Sequence, residues 1–301
     1  MEADFIQELK GCLDESRYPV HLTESFELME CLSKKEGCET LLVRRRDTGE
    51  LCAAKCYEAG HPLFSITEPQ ALKSLSCPGL PAFIAEYKSE TMRCILREYI
   101  EGETLEQAFA RIRPAEDTVR FIGIQLCRIL SCLHGQNPPI IHRDIKPQNV
   151  VLDEDGGVSL IDFGISRLYV PNERRADTVA YGTEAFSPPE QYGFSQTDCR
   201  SDIYSLGVLL HWLLTGNTDL AKSHDSPVER VAARCTAFDP KNRYHDAAAV
   251  SRALVRCSPQ IRRRRAQILT AAAFALLLTA AAAAWHQHFL LSNDSGIPAI
   301  N

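Results

Sequence analysis

Between residues 25 and 100 the chain runs in short stretches where apolar and polar positions alternate. Phe26–Leu32, Thr40–Arg45, Leu51–Tyr57, Ala82–Tyr87 and Arg93–Tyr99 each read as a strand, because a period of two places one side of a pleated ribbon in a core. Asp47-Thr48-Gly49 marks the turn between the second and third. One segment breaks the alternation: Ile66–Leu75 has helical spacing and stops before Cys77-Pro78-Gly79. From residue 104 the period lengthens. It predicts helices over Thr104–Arg111, Glu116–His134, Ser201–Leu214, Val228–Ala237 and Asp246–Val255. Ahead of the strands, Phe5, Ile6, Leu9 and Leu13 predict an amphipathic extension over residues 1–24 that packs on the domain behind it, with a partner-docking helix as the other reading. Strands followed by helices form an α+β chain with a small sheet-based lobe at 25–100 and a larger helical lobe at 101–257. No internal repeat is visible.

After residue 257 the pattern stops altogether. A basic linker, 258–265, ends in Arg262-Arg263-Arg264-Arg265, and the twenty residues Ala266–Trp285 carry no charge. That length suits a helix crossing a bilayer core. Ile268, Leu269, Phe274 and Leu276–Leu278 supply most of its apolar surface, and Trp285 falls at a headgroup position. The alternative is an Ala-rich helix packed on the soluble domain or in an oligomer. The arginines on the N-terminal flank predict that flank to be cytoplasmic and add attraction to anionic lipid. Residues 286–301 then form a short extracytoplasmic tail, too small for a folded sensor. A lone span also allows two copies to pair as a homodimer.

Composition narrows the picture modestly. The 301 residues, 24 % charged and 45 % hydrophobic, are ordinary for a globular chain. The net charge of −6 and the lack of a broad basic face argue against a nucleic-acid partner. Twelve cysteines are scattered through apolar segments with no Cys-x-x-Cys and no zinc-type spacing, which predicts reduced thiols. The N-terminus has Glu2 and Asp4 and no apolar run, so no signal peptide is expected.

The chemistry concentrates in two motifs. Residues 142–149 read His-Arg-Asp-Ile-Lys-Pro-Gln-Asn, and Asp162-Phe163-Gly164 begins thirteen residues after Asn149. Between them, Val150–Leu152 and Val158–Ile161 flank an Asp-Gly-Gly turn, so a hairpin would bring Asn149 and Asp162 together. A carboxylate beside a nucleophile, hard oxygen donors for metal and a nearby cation are what phosphoryl transfer needs.

Two motifs in this order, with a hairpin between, resemble the eukaryotic-like Ser/Thr protein kinase family, bacterial membrane-anchored type. The resemblance covers about residues 25–257 and implies a bilobal protein kinase fold, ATP with Mg²⁺ (or Mn²⁺), and protein substrates carrying Ser or Thr. It implies that Asp144 is the base and that Lys146 offsets charge on the same phosphate. Asn149 and Asp162 become the metal ligands. Leu51-Cys52-Ala53-Ala54-Lys55 is similar to the family's Val-Ala-Ile-Lys strand: Lys55 would meet the α- and β-phosphates and Ala53 the adenine. Glu68 would pair with Lys55 in preference to Glu58, and the backbone of Glu98 and Ile100 would bond the adenine edge. Arg97 stands where the family has an apolar residue, turned outward or narrowing the pocket. Thr183 would bond Asp144 and Lys146, Glu190 would pair with Arg243, and Asp202 would anchor the catalytic loop. Arg143 would meet a phosphorylated residue of the activation segment, with Thr178 the candidate ahead of Ser166 and Thr183. The family's glycine-rich loop is the departure. Counting back from Lys55, its three glycines become Ser33, Lys35 and Cys38, and only Gly37 remains, off register. Lys34 and Lys35 offer phosphate charge instead, or are a solvated hairpin tip. The chain is also compact after Thr215-Gly216. The leading expectation is a non-specific serine/threonine protein kinase in the cell membrane with its catalytic domain cytoplasmic. The alternatives are a pseudokinase, on account of the lost glycines, and a small-molecule kinase, which Lys146, Thr183, Glu190 and Arg243 oppose.

Overall fold

In the computed structural model, strand β3 shows why the first third of the chain becomes a sheet. The structure describes residues 13–61, 75–162, 167–168, 184–192, 198–222, 224–261, 263, 267 and 270. Strand β3 (Leu51–Glu58) is buried everywhere except at its two ends. It lies between β2 (Cys38–Arg45) and β5 (Met92–Glu98), with β1 (Phe26–Lys35) and β4 (Phe83–Lys88) at the edges, in the order β1-β2-β3-β5-β4. Every pairing is antiparallel. Side chains alternate across the sheet. Leu41, Val43, Cys52, Ala54, Cys56, Cys94 and Leu96 form a core on one face with Tyr18, Leu22 and Phe26. Ala53, Lys55, Tyr57, Ile95 and Arg97 therefore fall on the other face. All cysteines among the described residues are free thiols.

The segment ahead of the sheet is a single turn at Glu15–Arg17 and a short helix, α1 (Val20–Ser25). Tyr18 and Leu22 plug the upper core, and the Tyr18 hydroxyl donates to Glu39 Oε1 at 2.7 Å. Residues 1–12 of the expected extension lie outside the described residues, as do 62–74, which hold most of the helix expected at Ile66–Leu75. Strand β1 runs three residues beyond the alternation that suggested it. Cross-strand bonding carries the ladder through Lys34↔Glu39 and Lys35↔Cys38 to a two-residue turn, where Gly37 adopts φ +67°.

The helical lobe follows. Strand β6 (Glu103–Thr104) leads into α2 (Leu105–Ala108), capped by reciprocal Thr104 and Gln107 bonds and shorter than the period suggested, because the chain leaves helical geometry at Phe109. Helix α3 (Glu116–His134) buries Val119, Ile122, Leu126, Ile129, Leu130 and Leu133 on one stripe. Helix α4 (Cys199–Thr215) is apolar nearly all round and lies in the centre, against α3 and α5 (Pro227–Cys235). Gly207 permits that approach: a Cβ there would lie 2.5 Å from Cys235 Cβ and 3.0 Å from the Ala232 carbonyl. Helix α6 (Ala247–Arg256) closes the lobe. Strands β7 (Ile140–Ile141), β8 (Val150–Leu152), β9 (Val158–Leu160) and β10 (Arg167–Leu168) are short. They form the β6-β8-β9 and β7-β10 sheets beside the interlobe cleft.

The chain divides into two compact units, residues 1–254 and 255–301. Among the described residues no helix is long and apolar enough to cross a membrane. The expected span, Ala266–Trp285, and the tail 286–301 lie outside the described residues, Gln267 and Thr270 apart.

One buried ion pair ties the end of the lobe to its centre. Arg243 donates to both Glu190 oxygens, at 2.6 and 2.9 Å, and to the carbonyls of Ala237, Phe238 and Arg200. Ser201 adds a hydroxyl to Glu190 at 3.0 Å, and the guanidinium stacks 4.8 Å from the Tyr204 ring centre. Removing one side would strand the other charge. Arg243→Ala is therefore expected to lose about 3–5 kcal/mol of unfolding free energy, read from the denaturant midpoint; a loss under about 1 kcal/mol would mean the pair is incidental.

Candidate active site

The loop after β7 is built on one buried carboxylate. Asp202, in the first turn of α4, is fully buried. Its Oδ2 accepts the His142 amide at 2.8 Å and His134 Nε2 at 2.9 Å, while Oδ1 accepts the Arg143 amide at 2.8 Å. Burial alone would raise its pKa. The His134 hydrogen bond and charge and the Arg143 amide are foremost among the interactions that outweigh this and hold it below the usual carboxylate value. Pinned at these amides, Arg143 adopts φ +70°, and its carbonyl accepts from Gln191 Nε2 at 3.3 Å. The left-handed region costs a non-glycine residue about 1–2 kcal/mol, so the surrounding bonds impose it. The turn aims Asp144 at the cleft.

Asp144 is then held from two sides. Lys146 Nζ donates to its Oδ2 at 2.7 Å, and Asn149 Nδ2 donates to the same oxygen and to the Asp144 carbonyl, both at 2.8 Å. The single turn Pro147–Asn149 sets that geometry, with proline at the position where no amide donor is needed. Behind it, the Asp144 amide donates to His142 Nδ1 at 3.3 Å. That bond needs an unprotonated Nδ1. Burial keeps the ring neutral, pushing the His142 pKa down despite the carboxylates of Asp202 and Asp144, and the amide then selects the tautomer with its proton on Nε2.

Strands β8 and β9 return the chain to the same place. Their register is Val150↔Leu160 through Leu152↔Val158, around a turn in which the Gly157 amide donates to Asp153 Oδ1 at 2.6 Å. The Ile161 amide then donates to the Asn149 carbonyl at 2.8 Å. This clamps Asp162 beside Asn149. Asp162 has φ +72°; with Arg143 it makes up the non-glycine residues of positive φ among those described. Its Oδ1 meets the Lys55 ammonium, which arrives from the lower face of β3. Lys55 is nearly buried, while a quarter of the Asp162 side chain stays exposed.

The site thus holds two ion pairs, Lys55–Asp162 and Lys146–Asp144, bridged by Asn149. Asn149 spends its amide nitrogen on Asp144 and has a side-chain oxygen besides, and Asp162 brings a carboxylate to the same place. Two hard oxygen donors suit Mg²⁺, which takes few protein ligands when phosphates and water complete its shell. Ala53 is on the same sheet face as Lys55. The Glu98 amide donates to the Ala82 carbonyl at 2.8 Å and its carboxylate accepts from the Ala82 amide at 3.1 Å, so the side chain fixes the strand that leads into Ile100. Arg97 is 5 % exposed and in register with Ala53 and Phe83, inside the wall and not turned outward. Glu58 pairs with Arg17 at 3.0 Å. Glu68, Ser166, Thr178 and Thr183 lie outside the described residues. Two cavities of about 520 and 510 Å³ flank the Cys77–Gly79 loop, but none of Lys55, Asp144, Asn149 and Asp162 lines either.

The roles of His134 and Gln191 and the positive φ of Arg143 and Asp162 escaped the sequence reading, because a helix-end histidine and a glutamine after Glu190 carry no signal of their own and a backbone angle set by distant partners carries none either. The His142 tautomer has a consequence for pH. With a depressed folded pKa, the unfolded chain takes up the proton first, near pH 6.5. Stability is full above that value and falls as pH drops from about 6.5 towards the folded pKa. A melting-temperature profile should show this loss, and His142→Gln should flatten it; an identical slope in the variant would assign the loss to other groups.

Similarity to known proteins agrees with this geometry. A family profile described as a protein kinase domain matches residues 35–268. Serine/threonine-protein kinase A of Synechocystis is 34 % identical over 193 residues, covering 52 % of this chain and 37 % of that protein. Serine/threonine-protein kinase PknB of Mycobacterium leprae is 28 % identical over 274 residues, 79 % of this chain and 44 % of that one. Sperm motility kinase Z of Mus musculus is 29 % identical over 199 residues, 64 % and 39 % respectively. The chain spans roughly a quarter to under half the length of the curated relatives it matches. Most of the chain, including every element that carries the two ion pairs, falls within the matched segment: it belongs to the protein kinase domain family.

Proposed function

We propose that this chain is an ATP-dependent serine/threonine protein kinase. The observation that carries the reading is the Lys146–Asp144–Asn149 cluster facing the Lys55–Asp162 pair across one cleft. Asp144 accepts the proton of a protein Ser or Thr hydroxyl as that oxygen bonds to the γ-phosphorus and the bond to the ADP oxygen breaks. Lys146 neutralises the charge building on the transferred group. Lys55 holds the α- and β-phosphates, Ala53 and the Glu98–Ile100 backbone take the adenine, and Asn149 and Asp162 would hold Mg²⁺, which would supply charge screening of the phosphates. Asp202, Glu190 and Arg243 act as supports. Names of the matched relatives favour Ser and Thr as acceptors. A pseudokinase would have no use for a proton acceptor held so closely beside a cation, and the intact cluster argues against that alternative.

In the same reading residues 25–257 are the catalytic domain, Thr178 is autophosphorylated and meets Arg143, and Thr183 shapes the substrate groove. Residues 266–285 anchor the chain in the cell membrane with the kinase on the cytoplasmic side. The uncharged stretch behind four arginines supports that placement.

With full-length protein in detergent, labelled ATP and Mg²⁺, label is expected on Ser or Thr residues, Thr178 among them. Asp144→Asn should cut the rate by about 10²–10⁴-fold while ATP still raises the melting temperature. Transfer that survives undiminished in that variant would remove Asp144 as the base. For the anchor, the full chain should stay with membranes through an alkaline wash, and deletion of 266–285 should release it. Release of both forms would leave the stretch as a packed helix.

A further inference from the structure

The β1–β2 hairpin carries two adjacent lysines, and its register separates them. Lys34 lies opposite Glu39, and Lys35 opposite Cys38, which in turn lies opposite Tyr57 on β3. Directly opposed residues share a face of the sheet. Glu39 is 5 % exposed and belongs to the upper face, where the Tyr18 hydroxyl donates to it and Arg17 approaches to 3.7 Å. Lys34 is thus placed over a filled, protein-facing surface. Lys35, Cys38, Tyr57 and Lys55 follow one another on the lower face, above Asp162.

Distance and charge favour a role there. Adjacent strands are about 4.8 Å apart and residues about 3.3 Å apart along a strand, which puts the Lys35 and Lys55 Cα atoms about 12 Å from each other. A lysine stem reaches about 6 Å, so both ammonium groups can converge on one polyphosphate. Ser33 and Thr40 form the next pair on this face, and their small side chains leave it room. The tip is also tethered. The Glu58 amide donates to the Gly37 carbonyl at 2.9 Å, and His61 packs so close that a Cβ on Gly37 would lie 3.1 Å from its ring. Below, the two ion pairs Lys55–Asp162 and Lys146–Asp144 sum to zero. A nucleoside triphosphate brings about four negative charges, of which a divalent ion offsets only half. The remainder calls for a cation that no carboxylate has already taken. Lys35 is exposed and forms no ion pair among the described residues.

We propose that Lys35, and not Lys34, binds the terminal phosphates of the nucleotide from above, so that a side-chain ammonium stands in for the backbone amides a glycine loop would present. This rests on the ATP reading above, but binding tests it separately from transfer. Full-length protein is titrated with Mg-ATP and with adenosine, for the wild type, Lys35→Gln and Lys34→Gln. Lys35→Gln is expected to weaken ATP about tenfold, leave adenosine unchanged and reduce the salt dependence of ATP binding. Lys34→Gln should match the wild type for both ligands. Equal ATP affinity in wild type and Lys35→Gln overturns the proposal, as does an equal loss in both variants, which would mean diffuse charge at the tip. A wild type that shows the Lys35 dependence yet transfers no phosphate would sink the kinase reading and leave this one standing. A wild type that binds neither ligand overturns both.

Discussion

The buried carboxylate of Asp202 is the constraint on which the cleft depends. It has no water to fall back on, so it must be satisfied by fixed donors, and the donors within reach are two consecutive amides of the loop and one histidine. Meeting that demand bends the loop into a conformation that Arg143 would not adopt unaided. The bend presents Asp144 to the cleft. A helix in the middle of the larger lobe thereby sets the position of the reacting group, although it contributes no atom to the reaction.

The second half of the site is reached by a different route. Asp162 is placed by a hairpin whose last bond, from Ile161 to Asn149, ties it to the residue that already supports Asp144. Lys55 then comes across the cleft from the other lobe. The pairing of Lys55 with Asp162 is therefore sensitive to how the lobes stand, whereas the pairing of Lys146 with Asp144 is local, two residues apart. A divalent ion and a polyphosphate would redistribute the first pair far more than the second.

Elements were legible where a period carried them. Helix α3 runs over the residues its apolar stripe suggested, Glu116–His134, because one face packs on the core along its whole length. Strand β3 lies where the sequence places it, at Leu51–Tyr57, but its burial on both faces became visible only in the fold, because it is sandwiched between β2 and β5. Strand β1 was read too short. Leu32, Ser33, Lys34 and Lys35 are exposed, and only hydrogen bonding to β2 keeps them extended. Resemblance of two motifs to the kinase family, and no period, brought Asp144, Lys146, Asn149 and Asp162 into one set, and their chemistry suits phosphoryl transfer.

Sequence by itself determined the inventory: which strands and helices form, which carboxylates and cations are available, and the spacing that lets a hairpin unite Asn149 with Asp162. Tertiary structure decided which way those groups face. Cross-strand register put Lys34 on the face of Glu39 and Lys35 on the face of Tyr57 and Lys55, a distinction that adjacent identical residues cannot express. Packing of α3 against α4 brought His134 to Asp202, 68 residues away, and so fixed a carboxylate that fixes a loop. Local preference is written in single residues and their periods. Orientation and long-range satisfaction of buried polar groups depend on what lies opposite, and that exists only once the chain has folded.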